Sequence, residues 1–398
     1  MISEKMKPFT SGSSAIRAMF EEGKRLATIY GKENVYDFSL GNPSVPAPSS
    51  VTEAIVDIAK NTDPCFLHGY TSNSGYEDVR EALADTINKK YVTKFSLSNF
   101  ILTTGAAAAL NIIFRCILDN GDEVIAFAPF FGEYKNYVSL YDGKLVTVKP
   151  DYNTFMPDMD DFESKINEKT RAVIINSPNN PTGVIYPEET IIKISGIMDT
   201  AQKKYGKPIY LISDEPYRQL VYTGADVPFV TKYYDNSFVA YSYSKALSLP
   251  GERIGYVLVN NTIDGYDEMI NALTVANRIM GFVNAPSLMQ RVIGVCMDET
   301  ADLEVYEKNR NRLYDMLTSL GFEMAMPDGA FYMFPKSLIE DDVEFCTAAK
   351  EFRLLLVPGS TFGTPGYFRI AYCVSPETIE NSYESFKKLT LKYRGETK

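Results

Sequence analysis

The chain has 398 residues, 45% of them hydrophobic and 13% aromatic, which is enough to bury the cores of about two domains. Its 51 acidic residues against 40 basic ones give a net charge of −11, which disfavours nucleic acid as a partner. No apolar run approaches the roughly 18 residues of a membrane span, and the N-terminal segment lacks the apolar middle of a signal peptide. We therefore expect a cytoplasmic globular protein in which local charges bind any anionic ligand.

The histidine and cysteine content narrows the chemistry further. His68 is the single histidine, so Ser-His-Asp catalysis and multi-histidine metal sites lack their side chains. The five cysteines are scattered without a CxxC pair, which is typical of buried thiols and not of a metal site. Acid and base chemistry must therefore come from Lys, Tyr, Asp or Glu.

Strand-like and helix-like segments alternate from about residue 100 to residue 260. The apolar runs FILTT, EVIAFA, AVIINS, PIYLISD and FVAYSYS have β-type composition, whereas AAAALNIIFRCIL and EETIIKISGIMDTAQKKY have helical spacing. This alternation predicts βαβ units and a mainly parallel sheet with helices on both faces. The predicted fold class is therefore α/β, with a three-layer αβα domain.

The pattern changes after about residue 290. Two long helix-like segments, DETADLEVYEKNRNRLYDMLTSL and SPETIENSYESFKKLTLKY, flank the short runs GAFYMF, LLLVPGSTFG and YFRIAYC, which predicts a smaller α+β unit. The first 45 or so residues contain no strand of the main series, so we expect them to pack against this unit. The predicted domains are a large one, residues 46–290, and a small one, residues 1–45 and 291–398.

The residues that follow the predicted strands are unusual. The continuations TTGAAAA, PFFGEY, SPNNPTG, DEPY and SYSK bring glycine, proline or polar residues to the point where each apolar run stops. In open α/β sheets, ligands bind beyond the carboxyl ends of the strands. We therefore expect these segments to line one crevice.

Two cations flank the end of the strand-like run FVAYSYS. Lys245 follows this run directly, and Arg253 precedes the next apolar run, IGYVLVN. A lysine in this place often only opens a solvated loop, but two unpaired cations near an interior require an anion. A bound phosphate fits, with Ser242, Ser244 and the guanidinium of Arg253 as donors.

Five further residues have both a structural and a functional interpretation. Gly105, between a predicted strand and helix, either lets helix and strand pack or lets backbone N–H groups approach an anion. Asp214 either caps a turn or faces a cation in the crevice. Asn180 is a turn residue or a donor to a ligand, and Phe130 and Phe131 are core residues or offer a face on which a ring stacks.

Together these side chains describe a single ligand. A small aromatic ring with a phosphate arm, a basic nitrogen, an oxygen substituent and an aldehyde would use all of them, and pyridoxal 5′-phosphate (PLP) is such a molecule. Lys245 would form a Schiff base with the aldehyde, and Asp214 would keep the ring nitrogen protonated. The absence of GxGxxG and Walker patterns argues against a dinucleotide or ATP.

The motifs, in this order, resemble those of the class I/II aminotransferases, PLP-dependent enzymes of fold type I that include aspartate aminotransferase. The resemblance covers nearly the whole chain and is carried by SLGNP, GYTSNSGYEDVREALA, TTGAAAAL, NSPNNPTG, DEPY, SYSKALSLPGERIGY and FRIAY. It implies transfer of an amino group between an L-amino acid and a 2-oxo acid. It also implies a role for each matched residue.

By this resemblance, Lys245 is the catalytic lysine and Asp214 pairs with the pyridine nitrogen. Asn180 and Tyr217 are similar to the donors to the phenolic oxygen of the cofactor, and Asn180 also lies where substrate binds. Arg369 in YFRIAY matches the arginine that binds the substrate carboxylate. The remaining matched positions are Phe131 for ring stacking, Gly41 near the substrate carboxylate, and Ser242, Ser244, Arg253, Gly105, Ala106 and Ala107 around the phosphate.

Tyr70 matches a tyrosine that reaches the phosphate of a neighbouring subunit, which implies a homodimer with shared active sites; its structural alternative is a core tyrosine. Two departures from the family pattern stand out. Phe131 replaces a residue that is often Tyr or Trp, and a phenyl ring cannot donate a hydrogen bond. The alanines of TTGAAAAL stand where many members have a second glycine or a hydroxyl donor.

The same scaffold supports other chemistry. C–S β-lyases and amino-acid decarboxylases break a different bond to the same ligand, and a non-catalytic PLP-sensing domain is a further alternative. NNPTG and Arg369 favour transamination, and no DNA-binding segment precedes residue 40. The donor amino acid stays open, because a dicarboxylate needs a second cation and the sequence does not place candidates such as Arg17 or Arg278.

Overall fold

The computed structural model describes residues 2–11 and 15–395, without the side chains of residues 11, 15–18 and 20. Within these ranges the strands are β1 Tyr36–Asp37, β2 Phe100–Thr103, β3 Glu123–Phe127, β4 Lys144–Val148, β5 Thr170–Asn176, β6 Tyr210–Asp214, β7 Ser237–Ser242, β8 Gly255–Val259, β9 Tyr332–Met333, β10 Leu354–Leu355, β11 Val357–Pro358 and β12 Phe368–Ala371. The helices are α1 Lys7–Ser11, α2 Ala15–Tyr30, α3 Ser49–Asn61, α4 Pro64–Leu67, α5 Glu77–Tyr91, α6 Ala106–Ile117, α7 Glu133–Leu140, α8 Met159–Lys165, α9 Glu188–Tyr205, α10 Tyr243–Ala246, α11 Tyr266–Ile279, α12 Ser287–Cys296, α13 Glu304–Ser319, α14 Asp342–Ala349 and α15 Pro376–Arg394.

The main sheet has seven strands in the order β2-β8-β7-β6-β5-β3-β4. All neighbouring pairs from β7 to β4 are parallel, whereas β8 is antiparallel to both β7 and β2. The prediction of a mainly parallel sheet is confirmed. Because β5, β6 and β7 run in the same direction, their carboxyl ends meet at one edge, where β6 ends at Asp214 and β7 ends at Ser242.

Helices cover both faces of this sheet. Consecutive residues of β2 alternate between two hydrophobic cores, with Phe100 and Leu102 in one and Ile101 in the other. Apolar residues of α9 belong to the first core, and those of α6 belong to the second. Since successive strand residues point to opposite faces, the sheet lies between two helical layers. The predicted three-layer αβα architecture is confirmed.

The strand β4 is not predicted from the sequence. It lies at the edge of the sheet, pairs only with β3, and reads KLVTV with its first residue exposed. An edge strand is not buried on both faces, so it lacks the continuous apolar run by which its neighbours were predicted.

A third core joins the two ends of the chain. The antiparallel sheet β11-β12-β9 and the long helices α13 and α15 surround it. Residues Tyr36 and Phe38 belong to this core, and β1 pairs in parallel with β10. The N-terminal segment therefore packs on the C-terminal unit. The proposed division of the chain after residues 45 and 290 stays a prediction.

None of the helices in the described ranges combines the length and the apolar character that a bilayer crossing requires. Three cysteines are buried, Cys116 is partly buried, and Cys65 is exposed.

A buried ion pair holds the turn that follows β6. Glu215 and Arg218 are 1% and 7% exposed, and their side chains form a salt bridge. The guanidinium of Arg218 also donates to the carbonyl oxygens of Val227, at 2.9 Å, and Pro228, at 3.0 Å. These bonds fix the chain directly after Asp214.

We expect Arg218→Met to lower the free energy of unfolding by about 3–5 kcal/mol, because it leaves the carboxylate of Glu215 buried without its partner. Urea unfolding monitored by circular dichroism measures this loss. Arg312→Met is the matched control, because Arg312 pairs with Glu380 at the surface and such pairs contribute less than about 1 kcal/mol. Equal losses in the two variants would contradict the structural role of Arg218.

Candidate active site

A cavity of about 530 Å³ lies beyond the carboxyl ends of β5, β6 and β7, which contribute Asn176, Asp214 and Ser242 to its wall. Most of the residues singled out in the sequence line this cavity. They are Gly41, Ala106, Ala107, Phe131, Asn180, Asp214, Tyr217, Ser242, Ser244, Lys245, Arg253 and Arg369. The converging strand ends of a parallel sheet are the physical reason for this grouping.

Lys245 lies in the short helix α10, directly after β7. The side chain of Ser242 caps this helix by accepting from the backbone N–H of Ser244 at 3.2 Å. The Nζ of Lys245 donates to the carbonyl oxygen of Gly41 at 2.7 Å. Burial, together with the positive charges of Arg369 and Arg253, lowers the pKa of Lys245 to about 8. A lysine with this pKa is available as a neutral amine near physiological pH.

Asp214 is 5% exposed and has one satisfied and one unsatisfied carboxylate oxygen. The hydroxyl of Tyr134 donates to Oδ2 at 2.6 Å, whereas the buried Oδ1 has no hydrogen-bond partner. Burial raises the pKa of Asp214 to about 7; the bond from Tyr134 opposes this rise and the charge of Glu215 adds to it. An unpartnered buried carboxylate oxygen fits a ligand with a cationic N–H group.

Arg369 is a buried cation with neutral partners. It is 2% exposed; Nη1 donates to Oδ1 of Asn180 at 3.0 Å, and Nη2 donates to the carbonyl oxygen of Ser39 at 2.5 Å. Its guanidinium lies over the rings of Tyr332 and Phe362, 4.5 and 4.9 Å from their centroids, and its Nε has no partner. None of these groups balances the positive charge, so the site fits a carboxylate ligand.

The hydroxyl of Tyr217 lies 3.0 Å from that of Tyr332. Tyr332 also packs against Gly41, where a Cβ would collide with its hydroxyl. Glycine is therefore required at position 41 for steric reasons, because the backbone of this segment runs against the ring.

Gly105 and Arg253 form a cradle at the N-terminus of α6. Gly105 has φ +91°, and a Cβ on it would lie 2.9 Å from Nη2 of Arg253. Arg253 donates to the carbonyl oxygens of Thr104, at 3.1 Å, and Pro250, at 2.9 Å. The hydroxyls of Ser242 and Ser244 lie 2.7 Å apart beside it. The free helix N-terminus, two hydroxyls and a guanidinium are suited to a phosphate.

The sequence predicts that both cations lie near the interior, and for Arg253 this prediction is wrong. Lys245 is partly buried, whereas Arg253 is exposed. Its guanidinium still lines the cavity, so exposure leaves it able to meet an anionic group at the cavity mouth.

Two predicted residues do not line the cavity. Gly105 is not part of the wall but lies next to Arg253, which is. Tyr70 is 90% exposed on the surface of its own chain. An aromatic side chain exposed to this degree is not a core residue, so the structural alternative for Tyr70 is wrong.

Two tyrosines that organise the site are not predicted from the sequence. Tyr134, in PFFGEY, holds Asp214, and Tyr332, in GAFYMF, holds Tyr217 and packs on Arg369. Both stretches were read as strand ends or strands. The one signal was that Tyr134 belongs to PFFGEY, the segment that follows the predicted strand EVIAFA.

Comparisons with known proteins agree with this site. A family model described as aminotransferase class I and II matches residues 33–386. The aspartate aminotransferase of Thermotoga maritima is 30% identical over 372 residues, which are 92% of this chain and 94% of that protein. A probable N-acetyl-LL-diaminopimelate aminotransferase of Bacillus subtilis is 30% identical over 368 residues, 91% of each chain. A crystal structure of an amino transferase from Eubacterium rectale is 49% identical, covers 99% of both chains and has a TM-score of 0.96.

The chain belongs to the class I and II aminotransferases. Its fold is that of the fold type I enzymes in this PLP-dependent family, and its activity is that of an aminotransferase. The resemblance noted in the sequence is thereby confirmed.

The free energy of unfolding of the cofactor-free protein should respond to Asp214→Asn in a pH-dependent way. The pKa of Asp214 rises from 3.8 in the unfolded chain to about 7 in the folded one, so the folded state binds the extra proton between these values. The carboxylate therefore destabilises the fold increasingly from pH 4 to pH 7, and constantly above that. The stability of the variant relative to the wild type should rise by on the order of 3 kcal/mol between pH 4 and pH 8.

Urea unfolding of both proteins at these two pH values measures the change. Burying the amide of the variant also changes its free energy of unfolding, but by the same amount at both pH values. This contribution therefore cancels when the two pH values are compared. Parallel stability curves from pH 4 to pH 8 would show that the carboxylate is not buried as described.

Proposed function

We propose that the cavity holds PLP and that the chain uses it to transfer an amino group between an L-amino acid and a 2-oxo acid. The observation that carries this proposal is the buried, unpartnered Oδ1 of Asp214 in the same cavity as Lys245. A protonated pyridine nitrogen would supply the missing donor. The cradle at Gly105, which a Cβ would fill, is the second feature that fits the cofactor.

Different residues around the cavity would contact different groups of the cofactor. Asp214 would pair with the ring nitrogen, and Phe131 would stack on the ring. Tyr217 and Asn180 would donate to the phenolic oxygen. The side-chain oxygen of Asn180 already accepts from Arg369, which leaves its amide hydrogens to donate. The phosphate would be bound by Ser242, Ser244, Arg253 and the backbone at Gly105, Ala106 and Ala107.

When bound, PLP withdraws electrons from the Cα of the amino acid, which makes the Cα proton removable. Lys245 is the base that this chain supplies. With a pKa of about 8, about one lysine in ten is neutral at pH 7 and able to accept a proton. The hydrogen bond from Nζ to the Gly41 carbonyl holds the amine inside the cavity.

Arg369 would bind the α-carboxylate of the substrate in a bidentate manner. Its Nε has no hydrogen-bond partner and its neighbours are neutral, so its positive charge remains available to a carboxylate. Gly41 would lie beside the same carboxylate, since it packs on Tyr332, whose ring covers the guanidinium. Substrate orientation in this fold determines which Cα bond breaks.

Transamination agrees with the relatives better than the alternatives do. The similar proteins that we report carry aminotransferase names, whereas a C–S β-lyase, a decarboxylase and a PLP-sensing domain find no support among them. The cytoplasmic location stays a prediction from the sequence.

We further propose a homodimer with shared active sites. The exposure of Tyr70 supports it, because a side chain that its own chain leaves uncovered is free to contact a second subunit. In such a dimer Tyr70 of one subunit would reach the phosphate held by the other.

Borohydride should fix PLP covalently on Lys245, and peptide mass spectrometry of the reduced protein should locate the label there. Lys245→Arg is the control, because it keeps the positive charge but has no primary amine. This variant should bind PLP reversibly and yield no labelled peptide. A label on another lysine would refute the assignment of Lys245.

Hybrid dimers test the proposed role of Tyr70. Lys245→Ala and Tyr70→Ala chains should each have little activity alone, whereas mixing them after dissociation should restore activity. One site of each hybrid then combines an intact Lys245 with an intact Tyr70. A mixture no more active than its parents, with hybrid formation verified by native mass spectrometry, would place Tyr70 outside the shared site.

A further inference from the structure

One charged residue of the cavity has no role in the proposed function. The charged side chains in the cavity wall are Glu133, Asp214, Lys245, Arg253 and Arg369. The last four are accounted for by the cofactor and by the α-carboxylate of the substrate. The charge that remains is that of Glu133, and it is negative.

Glu133 is the first residue of α7, two positions after Phe131. It is partly buried, and its Oε2 accepts from the side-chain amide of Asn136 at 2.8 Å. This partner is neutral, so it orients the carboxylate without balancing its charge. The carboxylate therefore presents a negative charge to the cavity.

The effect of this charge is visible at Tyr137, which lines the same cavity. Burial raises the pKa of Tyr137 to about 12, and the carboxylate of Glu133 is the next largest cause of the rise. Arg253 opposes it. Glu133 and Tyr137 lie one helical turn apart on α7, and both line the cavity, so the carboxylate is close to a second residue of the wall.

The rest of the wall is uncharged. Leu40, Leu110, Pro216 and Pro250 supply apolar surface next to the assigned polar groups. Within the described part of the chain, no cation lines the cavity besides Lys245, Arg253 and Arg369. Of the two candidates considered from the sequence, Arg278 is exposed in the last turn of α11 and does not line the cavity. The side chain of Arg17 lies outside the described residues.

We propose that this aminotransferase acts on amino acids with uncharged side chains, and that Glu133 is the specificity-determining residue that disfavours a second, distal carboxylate. A distal carboxylate would meet a like charge and lose hydration without gaining a cation from this chain. This inference rests on the proposed function, because it uses the assignment of the three cations. It separates the chain from relatives that carry the name aspartate aminotransferase.

Two pairs of amino donors of nearly equal shape test the charge alone: aspartate with asparagine, and glutamate with glutamine. The PLP-loaded protein is mixed with each donor, and the change in cofactor absorbance gives kcat/KM for the half-reaction. The uncharged member of each pair should be preferred at least about tenfold, because a like-charge contact in a partly buried site is strongly unfavourable.

Glu133→Gln should reduce this preference several-fold through faster reaction of aspartate and glutamate, with little change for asparagine and glutamine. Glu189→Gln is the matched control. Glu189 also lies in the first turn of a helix, α9, but it is exposed and outside the cavity. This control should keep the preference of the wild type.

Binding of non-reacting ligands provides a readout that does not depend on turnover. Succinate and succinamate differ by the exchange of one carboxylate for an amide, and calorimetric titration of the PLP-loaded protein measures both affinities. Succinamate should bind more tightly to the wild type, and Glu133→Gln should narrow the difference.

The outcomes separate the two proposals. If none of a broad panel of amino acids changes the cofactor spectrum, the proposed function fails. If donors react but aspartate and glutamate match their amides in the wild type, the proposed function stands and the inference about Glu133 is overturned. A preference that Glu133→Gln leaves unchanged would also overturn it.

Discussion

The site depends on a carboxylate that the protein buries and leaves half satisfied. Asp214 lies at the end of a central strand, where the hydroxyl of Tyr134 satisfies one oxygen and no group of the described chain satisfies the other. Burial of this kind destabilises the fold, and the raised pKa of Asp214 expresses that penalty. The ion pair of Glu215 and Arg218 stabilises the turn immediately after it. A buried carboxylate with a strongly raised pKa is typical of a functional site, and here it fits a cationic ligand group.

A continuous set of contacts joins the proposed cofactor groups to the proposed substrate group. The hydroxyls of Tyr217 and Tyr332 are hydrogen-bonded, and the ring of Tyr332 stacks on the guanidinium of Arg369. Arg369 in turn donates to the side-chain oxygen of Asn180. The segment around Gly41 closes this set, since its carbonyl accepts from Lys245 and its neighbour Ser39 accepts from Arg369. A carboxylate bound to Arg369 would therefore affect the positions of Asn180 and of the segment around Gly41, which accepts from the amine of Lys245.

The charge of the whole chain and the charge of the cavity have different signs. The net charge of −11 repels anions at a distance, whereas three cations converge in the cavity and attract them at close range. Two carboxylates, those of Asp214 and Glu133, line the same cavity and offset part of this positive charge. In the proposed function Asp214 would pair with a cationic ring nitrogen, and Glu133 would leave the remaining space unfavourable for a second anion. Selectivity for substrate charge would thus arise from one residue that the cofactor does not need.

The mainly parallel sheet could be predicted from the sequence alone, because most of its strands are buried on both faces and therefore appear as continuous apolar runs. The sequence also indicated the residues at the strand ends, because glycine, proline and cations interrupt those runs at the positions where ligands bind. Tertiary structure decided the rest. The contacts of Tyr134 with Asp214 and of Tyr332 with Tyr217 join residues that lie 80 and 115 positions apart, and no local pattern encodes such pairs. The exposure of Arg253 and Tyr70, and the place of Glu133 in the cavity wall, likewise follow from how distant elements pack, which composition and spacing do not specify.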